Sequence, residues 1–295
     1  MEPSAIALFV VAGLASLFMA WVIGAGSSGA TPFAPAVGAN AIPTMQAAFL
    51  VGLLGLAGAI TQGAAVSATV GAGLIGGVEI PAVGVIVVLL VGAGLMAIGI
   101  YTGYPIATAF TVTGAVVGVG LALGGTPVWA TYRQIGAVWL LTPVVGGAVA
   151  YGIASVLPRP DAPERYTIAV LTAVVGIVLA NVQFAFLGPS GTMGSLTGWV
   201  GRQLGVQGLA VTAGVSGAVA VVIAAAVHWD IARDQAGGLR RVLLALGSLV
   251  GFSAGGSQVG LAVGPLLPLF DTGGALSPAI ILAGGGVGIL AGSWL

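Results

Sequence analysis

The chain has 295 residues, 58% of them hydrophobic and 5% charged, with a mean hydropathy of +1.17 and a formal net charge of zero. So few charges cannot cover a soluble fold, which places the chain among integral membrane proteins. Balanced charge without a basic run argues against nucleic-acid binding, and the absence of cysteine excludes disulfides, thiolate metal sites and thiol redox chemistry.

Residues 5–23 read as a first transmembrane helix, and the lack of a basic segment before them argues against a cleaved signal peptide. The next stretch, "GAGSSGATPFAPAVGAN" (24–40), is rich in Gly, Ser, Thr and Pro. Local rules make it a loop, yet apolar segments on both sides hold it at membrane depth. Further apolar runs follow at 45–61, 63–77, 82–101, 105–123, 134–157, 167–187, 206–228, 241–254 and 278–295. Several are shorter than a simple span, so about eight to ten crossings are expected, some of them half-helices or re-entrant segments. The 52 glycines suit helices whose backbones approach closely. Two segments read as aqueous loops, "PRPDAPERY" (158–166) and "HWDIARDQAGGLRR" (228–241). The arginines of the second assign it to the cytoplasmic side. His228 reads as an interfacial residue, as do Glu79, Arg133, Arg202 and Asp271. No nucleophile–base pair, metal-ligand cluster or phosphate-binding loop stands out, so neither an enzyme nor a cofactor is expected, and a metal site is left undetermined.

The 24–40 stretch has a partner. "FSAGGSQVGLAVGPLLPLF" (252–270) also begins with an aromatic residue, passes through Gly and Ser and ends in an apolar stretch with Gly and Pro. Gly24 aligns with Gly255, an offset of 231 residues, and a glycine-spaced helix follows a proline in both places. Two interrupted hydrophobic segments in corresponding positions point to a transporter site. Backbone that leaves a helix inside the bilayer must line a cavity or be buried in protein. Half-helix N-termini then aim free N–H groups and a positive dipole end at that cavity, which suits an anion. Ser27, Ser28, Thr31, Thr108, Ser257 and Gln258 are the candidate substrate-binding residues, with residues 24–31 and 255–260 expected to break their helices and meet near the bilayer midplane. The fold class is thus an all-α polytopic bundle of two inverted repeats with discontinuous or re-entrant helices.

At these residues the sequence resembles the inorganic phosphate transporter (PiT) family, which carries two copies of a GANDVANA-like motif, one in each inverted half. The first copy here is "GAGSSGATPFAPAVGANAI" and the second "FSAGGSQVGLAVGPL". A third segment, "GYPIATAFTVTGAVVGVGLALGG" (103–125), resembles the family's GLPVSTTHAIVGAVVGVGL. The resemblance spans nearly the whole chain. The family's Asn-Asp pair is Gly26-Ser27 in one copy and Ser257-Gln258 in the other, and its Ser-Thr-Thr-His is Ala107-Thr108-Ala109-Phe110. In the family those aspartates help bind the coupling cation, so their loss puts Na⁺ coupling in doubt while leaving anion binding intact. A second copy of the third motif is expected after residue 295.

The resemblance implies a secondary transporter for an inorganic oxyanion, phosphate first, working by alternating access, with Na⁺ or H⁺ as the open choices of coupling ion. The alternatives are a sulfate permease, a passive anion channel or uniporter, and a non-transporting membrane partner. The expected organisation is a first repeat at 1–157, a linker at 158–166 and a second, shortened repeat at 167–295. The expected setting is multi-pass in the cell membrane, with the bilayer, the oxyanion and a second copy of the chain in a homodimer as partners. Inverted halves with a cytoplasmic 228–241 segment put Met1 outside.

Overall fold

At membrane depth the backbone has no water to bond with, so a chain this apolar satisfies its N–H and C=O groups within helices. The computed structural model, which describes residues 3–28, 31–157, 163–189, 192–271 and 277–294, is helical almost throughout. In order it contains α1 (Pro3–Ile23), a π-helical turn (Gly24–Ser28), a 3-10 turn (Thr31–Phe33), α2 (Ala34–Gly38), α3 (Thr44–Ala72), α4 (Ala82–Thr102), α5 (Thr108–Ala122) and α6 (Trp129–Val156). It continues with α7 (Glu164–Asn181), α8 (Leu196–Leu204), α9 (Leu209–Arg233), α10 (Gln235–Val263), a second 3-10 turn (Gly264–Leu266), α11 (Leu267–Asp271) and α12 (Pro278–Ser293). Seven described helical stretches are long and apolar enough to cross a membrane, and α5 and α12 are shorter apolar helices. The chain is therefore an all-α, multi-pass membrane protein. Two short antiparallel ladders tie loops together, Ile75–Gly76 with Thr126–Pro127 and Gln183–Phe184 with Gly194–Ser195.

Three expectations from local sequence are corrected. The run 45–61 and the run 63–77 as far as Ala72 are one helix, α3, because Gln62 and Gly63 do not interrupt the backbone ladder and Thr61 turns its hydroxyl back to the Ala57 carbonyl at 2.8 Å. The 228–241 segment is a tight helical hairpin, with Asp234 alone standing between α9 and α10. Asp234 makes this possible by accepting the Gly237 N–H on its carboxylate at 3.0 Å, an N-cap that starts α10 at once. Finally, the stretch expected as a loop at 24–40 is wound into π, 3-10 and α turns over 24–28 and 31–38, and among its described residues only Ala39 and Asn40 form an open turn.

The chain divides into two compact units. The first comprises residues 1–133 and 244–295. Here α4 and α5 form an antiparallel hairpin, with Gly84 beside Val119 and Gly92 beside Val112. The helix α1 runs antiparallel to the end of α10 and to α11, since Ser16 donates to the Ala262 carbonyl at 2.9 Å and the Phe9 and Phe270 rings lie 5.4 Å apart. In the same way α12 runs antiparallel to α3, with Gly52 against Leu290 and Ser293, and Gly63 against Leu282. Met19, Ile23, Phe33, Val51 and Ile289 are fully buried at the centre of this unit. One succession of elements occurs twice in it. The 3-10 turn at Thr31, the five-residue helix at Ala34 and the long α3 recur as the 3-10 turn at Gly264, the five-residue helix at Leu267 and α12. Thr31 to Gly264 and Ala34 to Leu267 are both 233 residues, and Pro32 and Pro35 recur at that spacing as Pro265 and Pro268.

The second unit comprises residues 134–243. Ala169, Thr172, Gly176 and Ala180 form one buried face of α7. Gly176 receives Ala220 and Ile223 of the antiparallel α9. At one end of this pair Asn181 donates to Ser216 at 2.8 Å and accepts from Thr197 at 3.3 Å, so the buried hydroxyls there are paired. At the other end Arg241 holds Asp230 through two bonds of 2.8 Å.

Candidate functional site

The first discontinuity grows out of close backbone packing. A Cβ on Gly24 would collide with the Ile289 carbonyl oxygen and reach within 3.0 Å of the Gly292 Cα, so glycine lets α12 lie directly on the end of α1. The turn that follows, Gly24–Ser28, is π-helical, a widened geometry frequent at functional sites. A cavity of ≈390 Å³ lies beside it, lined by Gly26, Met96, Ile100, Tyr104 and Ile106 among others, with no charged side chain in its lining. A Cβ on Gly26 would sit 2.8 Å from the Ile100 Cδ1, so this glycine keeps the cavity floor open.

Thr108 stands one side chain behind that wall. It is the first residue of α5, it is 5% exposed, and its hydroxyl donates to the Met96 sulfur at 3.1 Å. A thioether is a weak acceptor, so the hydroxyl holds a partner that a stronger acceptor would displace. The preceding Ala107 offers no side-chain cap to the helix. The N-terminus of α5 therefore presents uncapped N–H groups and the positive end of its dipole close to the Pro105 and Ile106 lining. Thr111 spends its hydroxyl on the Ala107 carbonyl at 3.1 Å.

The second motif is built differently from the expectation. The helix α10 runs unbroken through 255–260, and its interruption comes later, at Gly264–Leu266. The cause is packing. A Cβ on Gly255 would collide with the Gly55 carbonyl, and one on Gly256 would lie 2.7 Å from the Gln62 Cβ, so the glycines form a smooth face on which α3 rests, and the ladder stays intact. Ser257 is exposed and turns its hydroxyl back to the Ser253 and Ala254 carbonyls at 3.1 and 3.2 Å. The Gln258 Oε1 is buried and has no hydrogen-bond partner among the described residues. Gly24 and Gly255 do not meet. Each abuts a different helix of the α3–α12 pair, and that pair stands between them, joined where Gly55 packs against Ile289.

Of the six candidates from sequence, Thr108 is thus next to the first cavity through Met96, and Thr31 opens the 3-10 turn exposed. Ser27 and Ser28 lie in the π turn, with their side chains outside the described set. Ser257 and Gln258 sit on α10 and line no part of this cavity. Local sequence gave no hint of Met96 and Tyr104, whose roles come from the α4–α5 hairpin.

A second cavity, of ≈460 Å³, opens at the other end of α4 beside the later discontinuity, lined by Gly71, Glu79, Pro81, Pro265 and Pro268 among others. Glu79 is the sole charged residue between Glu2 and Arg133, and it lies at the lining of this second cavity. Among the described residues no group of three or more His, Asp or Glu side chains could hold a metal ion.

Comparison with known proteins covers the whole arrangement. The profile described as "Phosphate transporter family" matches residues 11–295. A protein of Pyrococcus furiosus named for phosphate permease activity is 28% identical over 306 aligned positions, covering 97% of this chain and 73% of the relative. A similarly named Pyrococcus abyssi protein is 29% identical with the same coverage. Among solved structures, one titled as the sodium-dependent phosphate transporter superposes with a TM-score of 0.76, covering 98% of this chain and 75% of that one at 24% identity. At that identity the likeness is one of fold.

Proposed function

The chain belongs to the phosphate transporter family, a family of transporters rather than enzymes, and on that premise we propose that it carries inorganic phosphate across the cell membrane as a secondary transporter by alternating access. The observation that supports this most is the doubled succession of 3-10 turn, five-residue helix and apolar helix, displaced by 233 residues from Thr31 to Gly264, with α1 antiparallel to α10 and α3 antiparallel to α12. Segments related in this way by inversion can exchange inward and outward environments about a fixed centre. In our reading the repeats occupy 1–157 and 167–295, joined by the 158–166 linker.

The substrate would enter the ≈390 Å³ cavity beside Gly26. Backbone N–H groups of the α5 N-terminus, the Thr108 hydroxyl released from Met96, and the hydroxyls of Ser27, Ser28 and Thr31 would hold its oxygens. Ser257 and Gln258 would serve the corresponding place in the second repeat. No formal charge lines the first cavity, so an anion meets no repulsion there, and a coupling cation meets only neutral oxygens. This favours weak Na⁺ dependence, with H⁺ coupling or uniport as the second reading.

The test is uptake of labelled phosphate into proteoliposomes, with sulfate as competitor and with imposed Na⁺ or H⁺ gradients. Saturable phosphate uptake, little altered when Na⁺ is replaced at constant ionic strength, is expected. A steep Na⁺ requirement would overturn the argument from the missing carboxylates, and preference for sulfate would overturn the choice of substrate.

A further inference from the structure

The second unit carries a feature apart from the proposed phosphate path. Between α6 and α7 runs a groove of ≈540 Å³ whose walls are Val149, Gly152, Ile153 and Val156 on one side and Val170 and Leu171 on the other. Val149, Val156 and Val170 are 56%, 39% and 65% exposed, so this apolar channel is open along its length. Among the described residues nothing lies within 4 Å of where a Gly152 Cβ would be, and the absent side chain deepens the groove.

Its mouth has the opposite character. Tyr166 and Thr167 close the α7 side. The Arg165 guanidinium lies over the Tyr166 ring, 4.9 Å from its centre, with Nη2 3.4 Å from the phenol oxygen. The Tyr166 ring also meets His228 of α9, ring centres 4.8 Å apart. One turn further on, Arg233 stacks 3.4 Å over Trp229. The neighbouring carboxylates are otherwise engaged. Asp230 and Asp234 pair with Arg241, Asp230 also feels the charge of Arg233, and Glu164 accepts from Gln235 at 2.8 Å. Among the described residues, no ion pair occupies Arg165 or Arg233.

We propose that this groove is a binding site for an anionic phospholipid, with one hydrocarbon chain between α6 and α7 and the phosphate headgroup on Arg165 beside Tyr166 and His228. Three requirements converge on that occupant. The walls are apolar for two helical turns, where a chain gains by leaving the lipid bulk only if it fits a shaped groove. Tyr166 at the mouth has the amphipathic character of residues at the headgroup level. The stacked guanidiniums are cations held in place by aromatic faces, and a basic residue at the surface attracts anionic lipid. A free phosphate would satisfy Arg165 but leave the groove unfilled.

Native mass spectrometry of the detergent-purified full chain with phosphatidylglycerol or phosphatidylcholine tests this. We expect retained phosphatidylglycerol in preference to phosphatidylcholine, reduced about fivefold by Arg165→Ala, since one surface cation is worth roughly 1 kcal/mol toward anionic lipid. Gly152→Leu, which fills the groove without touching the charge, should reduce retention of both lipids. Excess inorganic phosphate should leave the adduct in place. Equal retention of the two lipids, indifference to both substitutions, or displacement of the lipid by phosphate would each overturn the proposal.

Discussion

The contact between Gly255 and Gly55 yields the sharpest test of the packing. Replacing Gly255 with Ala places a methyl group against the Gly55 carbonyl and within 2.4 Å of its Cα, all of it backbone. No side chain can rotate away, so α10 and α3 must separate. Overpacking of this kind costs about 1–3 kcal/mol or more, set against about 0.5–1 kcal/mol gained by putting Ala in a helix interior. Gly284→Ala supplies the control, because it sits in α12 with nothing within 4 Å and receives the helical gain alone. Gly24→Ala repeats the test at the first motif, against the Ile289 carbonyl. Thermal unfolding of the detergent-solubilised variants, followed by monodispersity, measures the difference. Gly255→Ala and Gly24→Ala should melt below the parent and Gly284→Ala at or above it. If Gly255→Ala melts with Gly284→Ala, α10 does not rest on α3 through that glycine and the reasoning fails.

Three further outcomes are expected. Thr108→Val keeps the shape of the buried side chain and removes a hydroxyl whose present acceptor is only a sulfur, so the fold should be little affected. Phosphate affinity should nevertheless fall tenfold or more, as a hydrogen bond to a charged group is worth about 1.5–3 kcal/mol. Titration calorimetry reads this against Ser155→Ala on α6 as the silent control. Asp234→Ala removes the cap between α9 and α10 and should lower stability by about 1 kcal/mol, with Asp234→Asn retaining most of it. Cysteines placed at Pro3 and Ala236 should be labelled by an impermeant reagent from opposite sides of the membrane in oriented vesicles, and labelling from the same side would refute the inverted arrangement.

Composition and hydropathy determined much about this protein without any coordinates. A chain with 5% charged residues has to be a membrane protein, and α1 and α4 lie within a few residues of their apolar runs because bilayer thickness sets helix length directly. The paired Gly-Ser-Pro segments were legible too, since a repeat is a property of the string. Tertiary contact decided the rest. Local rules read glycine as a breaker, yet at Gly255 and Gly256 it serves close packing, and only the position of α3 distinguishes the two uses. Sequence could not tell that the second interruption falls at Gly264, where Pro265 removes an N–H from the ladder, rather than at the motif itself. The first cavity is lined by Gly26 together with Met96 and Tyr104, residues about 70 positions further along the chain. They come together because α4 folds back as a hairpin with α5 and packs along α1, an arrangement that no local pattern encodes.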